Sequence, residues 1–329
     1  MPQPARIVYF GTPTYAVPAL RALTDAPGFE VVLVVTQPDR QGGRGHKLIA
    51  PAVKEAATEL GLPVIQPPTL RDEDVREQLR AIRPDLFIVA AYGRIFSQAI
   101  LDIPASGCLN LHASILPAYR GAAPIPAAIL NGDTETGVTL MVMERGLDTG
   151  PIVDIRRTPI EPLDTTESLT ARLADLGAEL AVQSIPRYLD EDLKPVPQPT
   201  GATAVRQLMK ADGLIDWSQP AATIERKVRA MWPWPRAHSQ VGDLMVQIHK
   251  AEVRPGSGDA EPGSVHVHAR VPEVTTGAGD SLVILRGQVA GSAAASGEDL
   301  VRGRVLKAGD RFSTPPIVVE PFIRPANAE

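Results

Sequence analysis

A chain of 329 residues, 44% apolar and 22% charged, has enough apolar material for more than one folded core, and its net charge of −5 gives no basic excess that would advertise a polyanion partner. A single cysteine, Cys108, excludes an intramolecular disulfide and any cysteine-built metal cluster. No apolar run reaches bilayer-spanning length and the opening MPQPARIVYFG lacks a secretory leader pattern, so a cytoplasmic protein is expected.

In chain order, RIVYFG reads as a short buried strand closed by glycine, and YAVPALRALTDA as a helix despite Pro18. EVVLVVTQ is a second strand. The stretch TQPDRQGGRGHKLIAP (36–51) then fills a connection where a shorter loop would do, with Arg40, Arg44 and Lys47 among three glycines. Such a loop either grips phosphates or lies solvated, and both readings stand at this point. PAVKEAATELG is a helix, PVIQ a strand, RDEDVREQLRAIR a helix and PDLFIVAAYG a strand. Continuous apolar strands alternating with helices indicate a parallel sheet covered on both faces.

CLNLH follows as another strand, and its period of two sends Cys108, Asn110 and His112 to one side and Leu109 and Leu111 to the other. IPAAILNGD reads as helix, GVTLMVME as strand, GLDTGPIVDIRRTPI as a glycine-bounded loop entering a strand, and TTESLTARLADLGAELAVQSIPRYLD as a long helix capped by Thr165 or Thr166. Composition shifts at EDLKPVPQPTGAT, which divides the chain into a first domain (1–190), a linker (191–205) and a second domain (206–329). In the last part, TIERKVRAMW is a helix, and LMVQIHKAEV, SVHVHARV, SLVILRGQVA and IVVEPFI are short strands suited to a small β-barrel. The aromatic run MWPWPRAH reads either as packing at a domain junction or as a face for single-stranded nucleic acid.

Ligands of open parallel α/β sheets sit beyond the carboxyl ends of the strands, where Asn110 and His112 fall. Asp148 lies in the glycine-flanked RGLDTGP after the following strand. An amide, an imidazole and a carboxylate meeting there suit acyl-type transfer: Asn110 and His112 would donate to an oxyanion, while Asp148 would orient the imidazole or relay a proton. No serine or cysteine stands in a nucleophile elbow, so attack would come from the substrate itself. Cys108 reads as a small buried hydrophobe. FGTP carries one glycine where a dinucleotide fingerprint needs three, so a nicotinamide cofactor is poorly supported.

NLHASILPAYRGAAPI, followed by GDTETGVTLMVMERGLDTGPI, resembles the signature of the folate-dependent formyltransferases. FGTP, TQPDRQGGRGHKL, VAAYGRI, ADLGAEL, IDWS and RAMWPWP extend the likeness from residue 7 to about residue 236, and the far C-terminal strands match only in outline. The resemblance implies a Rossmann-like domain that binds 10-formyltetrahydrofolate, followed by an OB-like barrel that helps hold tRNA. It implies Asn110, His112 and Asp148 as a catalytic trio and Ser114, Ile115, Leu116 and Pro117 as a folate-binding segment. It also implies that Arg44, helped by Arg40 and Lys47, enters the acceptor arm of initiator methionyl-tRNA, the formyl acceptor. Ala118, Ala204 and Trp232 depart from the family pattern, in which these positions are often basic, Tyr and Asn. A monomer that needs no metal is expected. Two other readings remain to be separated from this one: a formyltransferase acting on a small amine such as an aminosugar nucleotide or glycinamide ribonucleotide, and a nucleic-acid binder without activity.

Overall fold

The computed structural model describes residues 3–42, 47–256, 260–313 and 320–326. Seven strands form the first sheet: β1 (Ala5–Gly11), β2 (Phe29–Val35), β3 (Val64–Ile65), β4 (Leu86–Ala90), β5 (Cys108–His112), β6 (Glu135–Val142) and β7 (Ile152–Pro159). Their spatial order is β7-β6-β5-β4-β1-β2-β3. Helices α1 (Val17–Asp25), α2 (Ala52–Glu59), α3 (Glu73–Ala81), α4 (Gln98–Leu101), α5 (Pro124–Asn131) and α6 (Thr166–Leu189) connect and cover them. Alternation along the strands builds two apolar layers. Ile7, Tyr9, Val34, Ile88, Leu109 and Leu111 enter one, while Val8, Phe10, Leu33, Val35, Phe87, Val89 and Cys108 enter the other. This is the double-faced α/β layering expected from the sequence. Thr165 caps α6, its hydroxyl accepting from the Ser168 N–H while the Ser168 hydroxyl accepts from the Thr165 N–H.

The sheet is mixed rather than all parallel. β6 pairs antiparallel with both β5 and β7, so one strand is reversed. Val142, the end of β6, therefore lies opposite Leu109 near the start of β5, and not beyond His112. Loop 143–151 turns back from there, anchored where the Val142 N–H donates to the Pro151 carbonyl. Gly150 makes this return possible: a Cβ there would sit 1.9 Å from the Val142 carbonyl oxygen.

After α6 the Pro- and Gly-rich segment leads to Thr203–Val205, which pairs parallel with Arg120–Gly121 and antiparallel with Ile323–Pro325. Helix α7 (Ala221–Ala230) packs against α5 and against the second sheet. That sheet is built on β8 (Ala237–Val241), β9 (Leu244–Arg254), β10 (Val265–His268), β11 (Val271–Thr275), β12 (Ser281–Val289) and β13 (Phe312–Ser313), in the antiparallel order β10-β11-β12-β9-β8-β13, with the two-residue strand Ala295–Ser296 paired to β12. Its two edges meet, because the Phe312 N–H donates to the Gly263 carbonyl and the Val265 N–H to the Asp310 carbonyl, each at 2.8 Å. The barrel-like closure expected from the short strands is thus present. Trp217, fully buried, stacks on Phe312 inside it at 5.0 Å between ring centres and donates its indole N–H to the Ser239 hydroxyl. α8 (Gly297–Arg302) covers one side of this sheet. Among the described residues no helix is long and apolar enough to cross a membrane.

Candidate active site

Strand β5 carries the first two site residues. Its central position between β4 and β6 fixes the backbone on both sides, and its pleat sends Asn110 and His112 to the same face. The third arrives on loop 143–151, where Asp148 holds a left-handed backbone (φ 53°) that an Asp tolerates better than most residues. The Asp148 carboxylate is the hub. Its Oδ1 accepts from Asn110 Nδ2 at 3.4 Å, its Oδ2 accepts from the Gly121 backbone N–H at 2.8 Å, and His112 Nδ1 lies 3.5 Å from Oδ2. The His112 and Asp148 side chains are only 6% and 13% exposed, so a charge forming on either is felt by the other more strongly than it would be in water.

His112 Nε2 faces the Tyr119 carbonyl at 3.0 Å. A carbonyl only accepts, so Nε2 carries a proton there, and Nδ1 is the nitrogen left for chemistry on the Asp148 side. The tautomer is thus set by Tyr119, while Asp148 faces the other ring nitrogen. Tyr119 and Gly121, which supply these two backbone contacts, both have positive φ (61° and 112°). A Cβ on Gly121 would meet the Val205 carbonyl oxygen at 2.3 Å, so only glycine fits where the two segments cross.

The trio lines a cavity of about 680 Å³. Val89, Tyr92, Phe96, Ile125, Met141 and Met143 supply apolar wall, and Arg94 and Arg145 supply positive charge. A few polar groups in an otherwise apolar concavity of this size are what a drug-sized organic ligand requires. Loop 91–96, which forms one wall, follows β4 and is held by Gln37, whose amide donates to the Tyr92 carbonyl at 2.7 Å. The sequence reading noted this loop, in VAAYGRI, only as part of the family likeness and gave it no place in the site, although its position after a strand's carboxyl end was a sufficient signal.

Ser114, Ile115, Leu116 and Pro117 do not line the cavity. Ser114 and Leu116 are buried behind it, with the Ser114 hydroxyl donating to the Ala118 carbonyl and the Leu116 N–H to the Thr139 hydroxyl. Through Ser114 and Leu116 this segment supports the turn carrying Tyr119 and Gly121, while Ile115 and Pro117 are half-buried. Polar side chains that were free to face a ligand in the sequence are spent on backbone groups that burial would otherwise leave unpaired. The ends of the basic loop form a hairpin, Arg40–Gly42 against Lys47–Ile49. Arg40 is exposed and its guanidinium donates to the Gln37 amide oxygen. Arg44 lies outside the described residues, and Lys47 is placed only as the first residue of the returning strand.

Cys108 is 2% exposed, and burial, with a smaller contribution from Asp102, pushes its thiol up to about 12. It faces the apolar layer with Phe87 and Leu101, as a hydrophobe. Among the described residues no cluster of three His, Cys, Asp or Glu side chains could hold a metal ion.

Comparison with known proteins gives this geometry a family. Residues 5–185 match the Formyl transferase model and residues 207–305 match the Formyl transferase, C-terminal domain model. Methionyl-tRNA formyltransferase of Myxococcus xanthus is 44% identical over 308 residues, covering 93% of this chain and 97% of that protein. The enzyme of the same name from Marinobacter nauticus is 45% identical over 312 residues, 94% of this chain and 100% of that one. Among solved structures, an N-formyltransferase of Helicobacter canadensis, in complex with folinic acid and dTDP-3-aminofucose, superposes with a TM-score of 0.66 at 20% identity. It covers 86% of this chain and 99% of its own, and at that identity the likeness is one of fold. The chain belongs to the formyl transferase family, among the methionyl-tRNA formyltransferases.

Proposed function

We propose that the cavity binds 10-formyltetrahydrofolate and that the chain transfers its formyl group to the α-amine of initiator methionyl-tRNA. The observation that carries this reading is the Asp148 carboxylate shared among Asn110, His112 and the Gly121 N–H on the cavity wall. The amine nitrogen attacks the formyl carbon and the carbonyl oxygen becomes an oxyanion. Asn110 has one amide hydrogen toward Asp148 and a second to give that oxygen, a contribution of about 3–4 kcal/mol for a well-placed donor. His112 Nδ1 lies at the same wall, 3.5 Å from the Asp148 carboxylate and not hydrogen-bonded to it, so a proton arriving there from the amine can be given to the oxyanion and His112 is a second donor. The attacking nitrogen loses a proton, N10 of the departing tetrahydrofolate gains one, and Asp148 with His112 carries that transfer. Contacts of 3.4 and 3.5 Å suit a site whose hydrogen bonds tighten when substrate arrives.

On this reading Arg40, Arg44 and Lys47 face the acceptor arm of the tRNA, and the barrel of β8–β13 adds further contact; the working form is a monomer. The basic hairpin and the methionyl-tRNA formyltransferase relatives favour a macromolecular acceptor over an aminosugar nucleotide or glycinamide ribonucleotide. The test is to incubate the purified chain with 10-formyltetrahydrofolate and, separately, methionyl-tRNA, an aminosugar nucleotide and glycinamide ribonucleotide. Formyl product is expected with methionyl-tRNA alone. Product with a small amine and none with methionyl-tRNA would overturn the assignment.

A further inference from the structure

The segment between α6 and α7 contributes one side chain that no reading of the catalytic trio includes. Gln198 is half-buried against the site, and its single amide makes four contacts. Its Nε2 donates to the Asp148 carbonyl at 2.7 Å and to the Gly150 carbonyl at 2.8 Å. Its Oε1 accepts from Arg120 Nε at 3.1 Å and Arg120 Nη2 at 2.8 Å. The amide cannot be reversed: a flip would set NH2 against a guanidinium and an oxygen against two carbonyls. Gln198 therefore grips the backbone on which Asp148 sits in its left-handed conformation and ties it to Arg120.

Arg120 lies between the two residues that contact the trio through their backbones, Tyr119 to His112 and Gly121 to Asp148. The same interdomain segment holds this strand from the other side, where the Thr203 hydroxyl accepts from the Tyr119 N–H and the Val205 carbonyl from the Ala122 N–H. Loop 143–151, which carries Asp148, and segment 119–121, whose backbone contacts both His112 and Asp148, thus meet at Gln198.

We infer that Gln198 is a positioning residue for formyl transfer, setting Asp148 against His112 by fixing the loop that carries it. It touches no reacting atom. The inference rests on the reading of Asp148 as the proton-handling carboxylate. Misplacement of a catalytic group by about 1 Å costs on the order of 100-fold in rate, so kcat is expected to fall about 10- to 100-fold on loss of the amide.

The experiment measures steady-state and single-turnover formylation of methionyl-tRNA by the full chain carrying Gln198→Ala or Gln198→Glu. The nearly isosteric Glu keeps the Arg120 contact but sets an oxygen against the two carbonyls, and it serves if Gln198→Ala folds poorly. Both variants are expected to lower kcat about 10- to 100-fold, with KM for donor and acceptor within about threefold of the unaltered chain. In an Asp148→Asn background, Gln198→Ala should lower the residual single-turnover rate by less than about threefold, because the group it positions is already disabled. An unchanged kcat, a change in KM alone, or the same loss in both backgrounds overturns the inference. Full turnover by Asp148→Asn alone would overturn both the reading of Asp148 and this inference, whereas loss there with active Gln198 variants would overturn this inference only.

Discussion

Replacing Asp148 by Asn changes one oxygen for an amide nitrogen and removes the hub's charge while leaving its shape. The left-handed backbone at 148 (φ 53°) suits Asn as well as Asp, so the loop has no reason to move. The amide oxygen can still accept from the Gly121 N–H, now 2.8 Å from the carboxylate. The new NH2 then faces Asn110, whose own amide can reverse to accept from it. One hydrogen bond to a charged acceptor weakens, but a nearly buried charge no longer needs desolvating, so the net change in stability is expected within about 1 kcal/mol. Chemistry is affected more strongly. A neutral amide accepts no proton from the attacking amine, and a positioned acid–base group is worth about 100- to 10,000-fold. Single-turnover formylation at saturating donor is therefore expected to slow by that range, with donor and tRNA affinity within about threefold and a melting temperature within a few degrees. Turnover within tenfold of the unaltered chain would refute the role given to the carboxylate.

Three further expectations follow from other parts of the structure. Cys108→Ala should leave turnover within about twofold at a stability cost of about 1 kcal/mol, since the thiol is buried and pushed up to about 12, and a loss above tenfold would place it in the chemistry. Gly150→Ala should cost tenfold or more in kcat and about 1–3 kcal/mol in stability, because its Cβ would displace the Val142 carbonyl and with it the return of loop 143–151; assay and melting curve together check this. Burial, then Arg236 and Arg286, pushes His249 from 6.5 to about 4, so between those values the unfolded chain binds more protons and stability falls as pH drops. His249→Gln should lose about 1 kcal/mol less than the unaltered chain between pH 7 and pH 4 in denaturant titrations, a figure reduced for partial exposure, and identical pH profiles would contradict this.

Much of the fold was legible because its signals are local. CLNLH alternates cleanly, and the observed strand and its two faces follow from that alone. The cap at Thr165 is likewise written within four residues. The direction of β6 was not legible: GVTLMVME reads as a buried run whichever way it lies, and only its partners across the sheet decide. Because of that reversal, the glycine-flanked loop carrying Asp148 has to turn back from the opposite end of the strand to reach the site. The supporting contacts of Ser114 were not legible for a related reason, since a polar residue after a strand looks alike whether it faces a ligand or satisfies a buried backbone group. Gln198 was invisible because it sits about fifty residues from the carbonyls it binds, in a stretch whose composition reads as linker.

The central claim is that the trio performs the transfer and does not merely stabilise the cavity. It is tested most directly by His112→Ala, measured in parallel for methionyl-tRNA binding and for single-turnover formyl transfer from 10-formyltetrahydrofolate. The account predicts tRNA affinity within about threefold of the unaltered chain and a transfer rate reduced at least 100-fold. A folded variant that binds tRNA and still transfers formyl at a rate near that of the unaltered chain would contradict it.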